Sequence, residues 1–409
     1  MTPKEWEEAK SQLNKSFTPN RPIDVPEYFA GRKELLYRAT DAANTAGLHI
    51  ILFGDRGTGK TSIARVLAYT LQEPNRVDGR RAILVSCNSN DDYLSIWRRI
   101  SQEVLIAQRQ LGFAQQALSE VMGRLDIGDS IKDPNDVRLF VQSLPSPALI
   151  IIDEFDRVPQ SSDARRLMAD TIKLFSDADV KSTLMLVGVA ESIGELLAEH
   201  QSISRNIAQI KVEPMTTNEL AEIVRRGLER AHLSYADSID SAIAHLSQGY
   251  PHYTHLLGLW CGRRAIEDSR SEVGNHDLEQ AIPDALANAA GGIQQEYEQA
   301  VQSSRKNTLY KEVLLACALA NKDSLGRFSA GDVRQPLRTI TEQDYGTGAF
   351  QGHLAKFCEA ERGSVLRRTG RKRNYRWQFM NPQLIPYILL DGLENERIKR
   401  DDIIFSTVR

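Results

Sequence analysis

Cysteine is scarce in this chain. Its four cysteines, Cys87, Cys261, Cys317 and Cys358, are scattered over 409 residues with no C-x-x-C pair. Such spacing excludes a disulfide framework and a cysteine metal site, and it suits reduced, mostly buried thiols in the cytoplasm. Long apolar runs are missing as well. No stretch approaches the roughly 18 uninterrupted apolar residues of a membrane span, so no membrane partner is expected. The opening MTPKEWEEAKSQLNK is charged and amphipathic and lacks the apolar centre of a signal peptide. It is expected to form a short helix of its own. Internal repeats and low-complexity tracts are absent, which removes solenoids and disordered arrays.

With 41% hydrophobic residues, the chain can build real cores, and its length calls for two or three domains. The net charge of −3 is small but uneven. From Arg305 to Arg409 there are 19 Lys/Arg against 12 Asp/Glu; the remainder holds 32 against 42. A basic end on an acidic body points to one region that meets a polyanion.

The most informative run is Ile50-Ile51-Leu52-Phe53-Gly54-Asp55-Arg56-Gly57-Thr58-Gly59-Lys60-Thr61-Ser62. A short apolar strand leads into GDRGTGKT, which fits the phosphate-binding loop G-x-x-x-x-G-K-[ST] at every fixed position. Glycines let successive N–H groups face one oxyanion. Lys60 can reach terminal phosphates and the Thr61 hydroxyl can ligate Mg²⁺. The helix-competent segment from Ser62 to Thr70 would point its N-terminus at the phosphates.

Other strands are expected near 82–86, 148–152, 182–189 and 207–212, alternating with helical segments, among them a long one from Asp92 to Leu125. That alternation predicts a parallel sheet covered on both faces. After Pro214 the pattern is helical through about Ala290, opened by a capping box at Thr216-Thr217-Asn218-Glu219. Gly291-Gly292 and the polar stretch to Lys306 read as a joint, part of which could be helical.

The strand Ile150-Ile151-Ile152-Asp153-Glu154 is the expected partner of the phosphate loop. At the carboxyl end of a central strand, Asp153 can hold Mg²⁺ and Glu154 can polarise an attacking water. The continuation DEFD resembles the AAA+ ATPases, and the order of elements over 17–290, helical lid included, agrees with that superfamily. The segments FTPNRP, FAGRKEL, LVGVAES, SISRNIAQI and SQGYPHYTHLLG are similar to its origin-recognition, replication-initiator-like branch. Related motifs are shared with the signal-transducing STAND ATPases.

The resemblance carries several expectations. Phe29-Ala30-Gly31-Arg32 matches the segment that packs on adenine, so Gly31 and Arg32 join residues 54–62 as nucleotide contacts and ATP is favoured over GTP. Glu191 stands where relatives usually carry a polar sensor, often Asn, and Ser192 could substitute. Arg205 falls near the position of an arginine finger acting on a neighbouring subunit. Gly249-Tyr250-Pro251-His252 replaces the initiators' Gly-Asp-x-Arg, which leaves Pro251 and His252 nearest to the nucleotide-sensing place. Without that arginine, turnover is expected to be slow.

Residues 309–390 read as a winged helix: helices at 309–320, from Ser329, and at 348–360, then a two-stranded hairpin through Ser364-Val365-Leu366-Arg367-Arg368 and Asn374-Tyr375-Arg376-Trp377. Seven basic residues and no acid lie between Arg362 and Arg376. Arg367, Arg368, Arg371, Lys372 and Arg373 are the candidates for phosphate contact with duplex DNA. Such modules also serve as protein contacts.

The expected fold is therefore an α/β P-loop AAA+ parallel sheet with a helical lid, plus a C-terminal winged-helix domain. Its parts are an N-terminal extension (1–16), the nucleotide-binding core (17–213), the lid (214–290), a linker (291–308), the winged helix (309–395) and a tail (396–409). The expected function is an ATP- and Mg²⁺-dependent switch, homo-oligomeric or bound to a partner protein, acting on duplex DNA. The alternative is a STAND-like regulatory ATPase whose winged helix binds a protein, for example in phage defence or a mobile element.

Overall fold

Five aliphatic strands place the candidate site. In the computed structural model, which describes residues 1–72, 80–110, 131–190, 193–197, 201–303, 308–371 and 374–403, they are β1 (His49–Gly54), β2 (Arg81–Ser86), β3 (Ala148–Asp153), β4 (Thr183–Val189) and β5 (Ile207–Lys211). All pair in parallel, in the order β2-β3-β4-β1-β5. β1 and β3 are buried along their whole length. One face of the sheet packs on Trp97, Ile172 and Phe175, the other on Ala39, Ile63 and Leu67. A parallel sheet covered on both faces needs such continuous apolar strands, so the aliphatic runs and the topology have one cause. Because β4 lies between β1 and β3, the loops leaving those two strands open at the same edge, over the end of β4.

These strands belong to one compact unit, Pro22–Glu213; the second joins Met1–Arg21 to Pro214–Arg409. The opening segment does form a helix, Pro3–Ser16, but it does not stand alone. It buries Ala9 and Leu13 against the helices Thr217–Arg230 and Pro251–Glu267. Leu13 fits over Gly262, and the Phe17 ring over Gly227 and Gly258; a Cβ on Gly227 would lie 2.3 Å from that ring. Two-residue strands β6 (Ser234–Tyr235) and β7 (Glu272–Val273) pair in parallel beside these helices.

The stretch expected to act as a joint contains a helix, Gly291–Val301, which buries Ile293, Tyr297 and Ala300. Apolar residues at that i, i+4, i+7 spacing override the two glycines, which occupy its first turn. Helices Tyr310–Leu319, Ala330–Thr341 and Thr347–Lys356 follow. The last ends short of Ala360. A three-stranded antiparallel sheet, ordered β8-β10-β9, comes from β8 (Arg327–Phe328), β9 (Leu366–Thr369) and β10 (Arg376–Phe379). The hairpin is as expected; β8, paired through Phe328 opposite Trp377, is an addition. The closing helix Leu384–Glu394 buries most of its residues. Its Asp391 accepts a hydrogen bond from the Tyr297 hydroxyl, and the hydroxyl of Tyr253 donates to the Gln383 carbonyl at 2.9 Å. No helix among the described residues is long and apolar enough to cross a membrane.

Candidate nucleotide-binding site

β1 ends at Gly54, and there only glycine fits. A Cβ at that position would lie 2.3 Å from the Val212 carbonyl oxygen, and φ is +144°. The loop then turns through Gly57 and Gly59, at φ of 80° and 92°. The Thr58 hydroxyl donates to the Asp55 carbonyl at 2.9 Å and closes the turn. The helix Lys60–Gln72 starts at the loop's end, so its first N–H groups and its positive dipole end face the cradle.

Lys60 is buried, and its Nζ donates to the carbonyls of Gly54 and Asp55 at 3.0 and 2.6 Å. Burial pulls the amine down to about 8, against the upward influence of Asp156, Asp55 and Asp153. An ammonium group held by its own loop's carbonyls is a donor that an anion can claim. Asp153, at the end of β3, is buried, and burial raises its pKa against hydrogen bonds from the Thr61 hydroxyl and the Glu154 amide. The two residues expected to hold a metal thus lie close to each other.

Glu154 has a left-handed backbone, φ 54°. Its carboxylate is about half exposed and pairs with Arg157 at 2.9 Å. Asp156 accepts a hydrogen bond from the Val189 amide at 2.8 Å. It was visible in the sequence only as part of DEFD, whereas its role depends on the pairing of β3 with β4. Ser62 uses its hydroxyl to accept from the Ile23 amide at 3.2 Å, which leaves its backbone for a ligand. Gly31 and Arg32 are both left-handed, and the Arg32 guanidinium donates to the carbonyls of Thr58 and Glu213. Arg56 is exposed on the loop.

A family model described as Novel STAND NTPase 1 matches residues 22–327. The chain belongs to the novel STAND NTPase 1 family. No curated protein matches the sequence. Among solved structures, a Walker-type ATPase of Pyrococcus abyssi is similar at 14% identity, with 91% of this chain and 99% of that chain covered and a TM-score of 0.54. The ORC2 protein of Aeropyrum pernix, solved with ADPNP and ADP, gives 14% identity, 94% and 97% coverage and a TM-score of 0.51. The fold of this STAND NTPase is that of the P-loop AAA+ ATPases.

The remaining candidates in this NTPase are carried by other elements. Arg205 is exposed on the turn Gln201–Asn206 before β5. Glu191 and Ser192 lie outside the described residues. In the second unit, Pro251 is the first residue of its helix, and the next residue, His252, has Nδ1 2.9 Å from the Pro19 carbonyl. A carbonyl only accepts, so Nδ1 carries the proton. In the neutral ring Nε2 then offers a lone pair, and it is buried with no partner among the described residues. Donation from Nε2 to a phosphate requires the imidazolium, which burial disfavours by lowering the pKa. On the hairpin, Arg367 donates to Gln378 at 3.1 Å and Arg368 stacks on Tyr375 at 4.5 Å. Arg371 is exposed. Lys372 and Arg373 lie outside the described residues.

Proposed function

We propose that this STAND NTPase is an ATP-binding, slowly hydrolysing, Mg²⁺-dependent switch that acts on duplex DNA through a C-terminal winged helix. The observation that carries the reading is Lys60, a buried amine held by two carbonyls of a glycine-turned loop at a helix N-terminus. Such an arrangement fits the terminal phosphates of a nucleoside triphosphate. The buried Asp153 carboxylate beside the Thr61 hydroxyl fits a hard cation that keeps part of its water. When bound, Mg²⁺ neutralises the charge that gathers on the phosphates.

Residues 54–62 then bind and orient the phosphates, with Gly31 and Arg32 beside the loop. Asp153 and Thr61 hold the cation. Glu154 takes the proton of the attacking water onto its carboxylate. The ion pair with Arg157 does not prevent this, because a pair so exposed to water contributes little. Arg205, exposed as a finger acting across a subunit contact must be, serves a neighbouring copy in a homo-oligomer. Pro251 and His252, at the start of their helix, are the lid's candidates for responding to the nucleotide.

Three helices and a three-stranded sheet with arginines on the hairpin support the winged-helix reading. Arg367 and Arg371, with Arg368 and the neighbouring Lys372 and Arg373, would meet phosphates and not base edges. Family membership favours a second reading, in which the same module binds a partner protein under nucleotide control. Fluorescence anisotropy on labelled duplexes across a salt series decides between them. Replacing Arg367 and Arg371 by Ala should lower the log–log salt slope by about 0.9 for each phosphate that is no longer neutralised, with ATP binding untouched. A parent protein with no affinity for duplex DNA, with or without ATP, sinks the first reading.

A further inference from the structure

We propose that Arg32 is a positioning residue for the phosphate loop, and that it acts through the backbone of Thr58, not on the adenine. The inference rests on the nucleotide reading of the same site and names a task for a residue which the sequence assigns only to the base.

Gly31 and Arg32 are consecutive left-handed residues, at φ of 68° and 55°. For arginine that conformation is uncommon and strained, so something in the fold must hold it. The side chain supplies the reason. Although arginine is rarely buried, Arg32 is only 8% exposed. Its Nη2 donates to the Thr58 carbonyl, at 3.3 Å, and to the Glu213 carbonyl. The two acceptors lie on segments that meet at Gly54, where the Val212 carbonyl packs on the glycine too closely for any Cβ. One guanidinium therefore ties the middle of the phosphate loop to the segment that leaves β5.

Peptide geometry gives this tie a chemical consequence. In a trans peptide the C=O of one residue and the N–H of the next point in opposite directions. With the Thr58 oxygen drawn toward Arg32, the Gly59 N–H is directed away from it. Thr58 is itself fully buried and anchored through its hydroxyl to the Asp55 carbonyl, so its side chain is held in place while the peptide cannot turn over without breaking the bond to Arg32. Arg32 thus fixes the orientation of one amide of the cradle before any phosphate arrives. The guanidinium suits this because it is planar and stays charged, so Nη2 presents its two N–H groups in directions fixed by the plane, which an ammonium on a flexible stem does not reproduce.

The test uses two ligands that share phosphates but not a base. Magnesium ATP and magnesium tripolyphosphate are titrated as competitors of a fluorescent ATP analogue bound to the parent, to Arg32→Ala and to Arg32→Lys. Both variants should bind both ligands about tenfold more weakly or worse, and by the same factor for each. If Arg32→Ala fails to fold, Arg32→Lys carries the same comparison. The proposal is overturned if ATP weakens while tripolyphosphate does not, which is the adenine role, or if neither weakens. It is overturned equally if lysine restores the parental affinity, since charge alone would then suffice. A parent that binds neither ligand instead removes the nucleotide reading on which the proposal rests.

Discussion

The Asp156 carboxylate accepts the Val189 amide at 2.8 Å and so joins the acidic turn after β3 to the end of β4. Gly188, beside that amide, leaves no room to shift: a Cβ there would lie 3.1 Å from the same carboxylate oxygen. Asp156 also leads the charges that favour the protonated form of Lys60. Asp156→Ala should cost about 1 kcal/mol of stability, the value of one hydrogen bond. Asp156→Asn, which keeps an acceptor oxygen, should recover most of it. Chemical denaturation of the three proteins checks this, and equal midpoints would mean that the bond contributes nothing.

Lys60 sets a pH dependence of opposite sign for binding and for stability. Its amine loses the proton at about 8 in the folded protein, against 10.5 as the ordinary value. Between those limits the unfolded chain holds the proton that the folded one has shed, so stability rises with pH across that window. ATP needs the ammonium form, so its affinity should fall above pH 8, approaching tenfold per unit. Lys60→Arg, which stays charged, should flatten the profile. Calorimetric titrations from pH 7 to 10 read both, and a flat parental profile contradicts the assignment.

Glu154→Gln separates binding from turnover. The amide cannot take a proton, so hydrolysis should slow by roughly a hundredfold or more, with ATP affinity within a few-fold of the parent. Stability should hardly move, because the pair with Arg157 is exposed. Parental turnover in this variant would remove Glu154 as the base.

Phe17 and the glycines beneath it should be coupled. Phe17→Ala should cost about 3–5 kcal/mol. Gly227→Ala places a Cβ within 2.3 Å of the ring and should cost about 1–3 kcal/mol by overpacking. Combined with Phe17→Leu, the alanine should lose most of its penalty. A double-mutant cycle in urea measures the coupling; strict additivity would show that the ring and the helix do not compete for that space.

Much of the sheet, and the residues placed together at its edge, were legible in the sequence. The phosphate loop is a contiguous run whose backbone needs glycine at fixed places, and fully buried parallel strands are written as aliphatic runs. Asp153 beside Thr61 followed from those two signals. The partner of Asp156 was not legible, because it depends on which strand lies beside β3. Nor was the seat of Phe17, since only the fold brings glycines 227 and 258 under one ring. The helix after Gly291 was obscured by its two opening glycines, and β8 is too short to show an alternating pattern. Arg32 was read through a resemblance as a base contact, while its bonds run to backbone carbonyls, which no side-chain pattern encodes.

The helix at the start of the chain also has a consequence for biosynthesis. Thr18 and His255, whose ring nitrogen receives the Thr18 amide, are 237 residues apart. At roughly 5–20 residues per second, the ribosome needs on the order of 10–50 s to deliver the second after the first. Throughout that interval Leu13 and Phe17 are in water with their seats not yet made, while the residues of the parallel sheet emerge beside them. The second unit is therefore the last to close, and the nascent chain carries an uncovered apolar stripe that a holding chaperone is suited to cover.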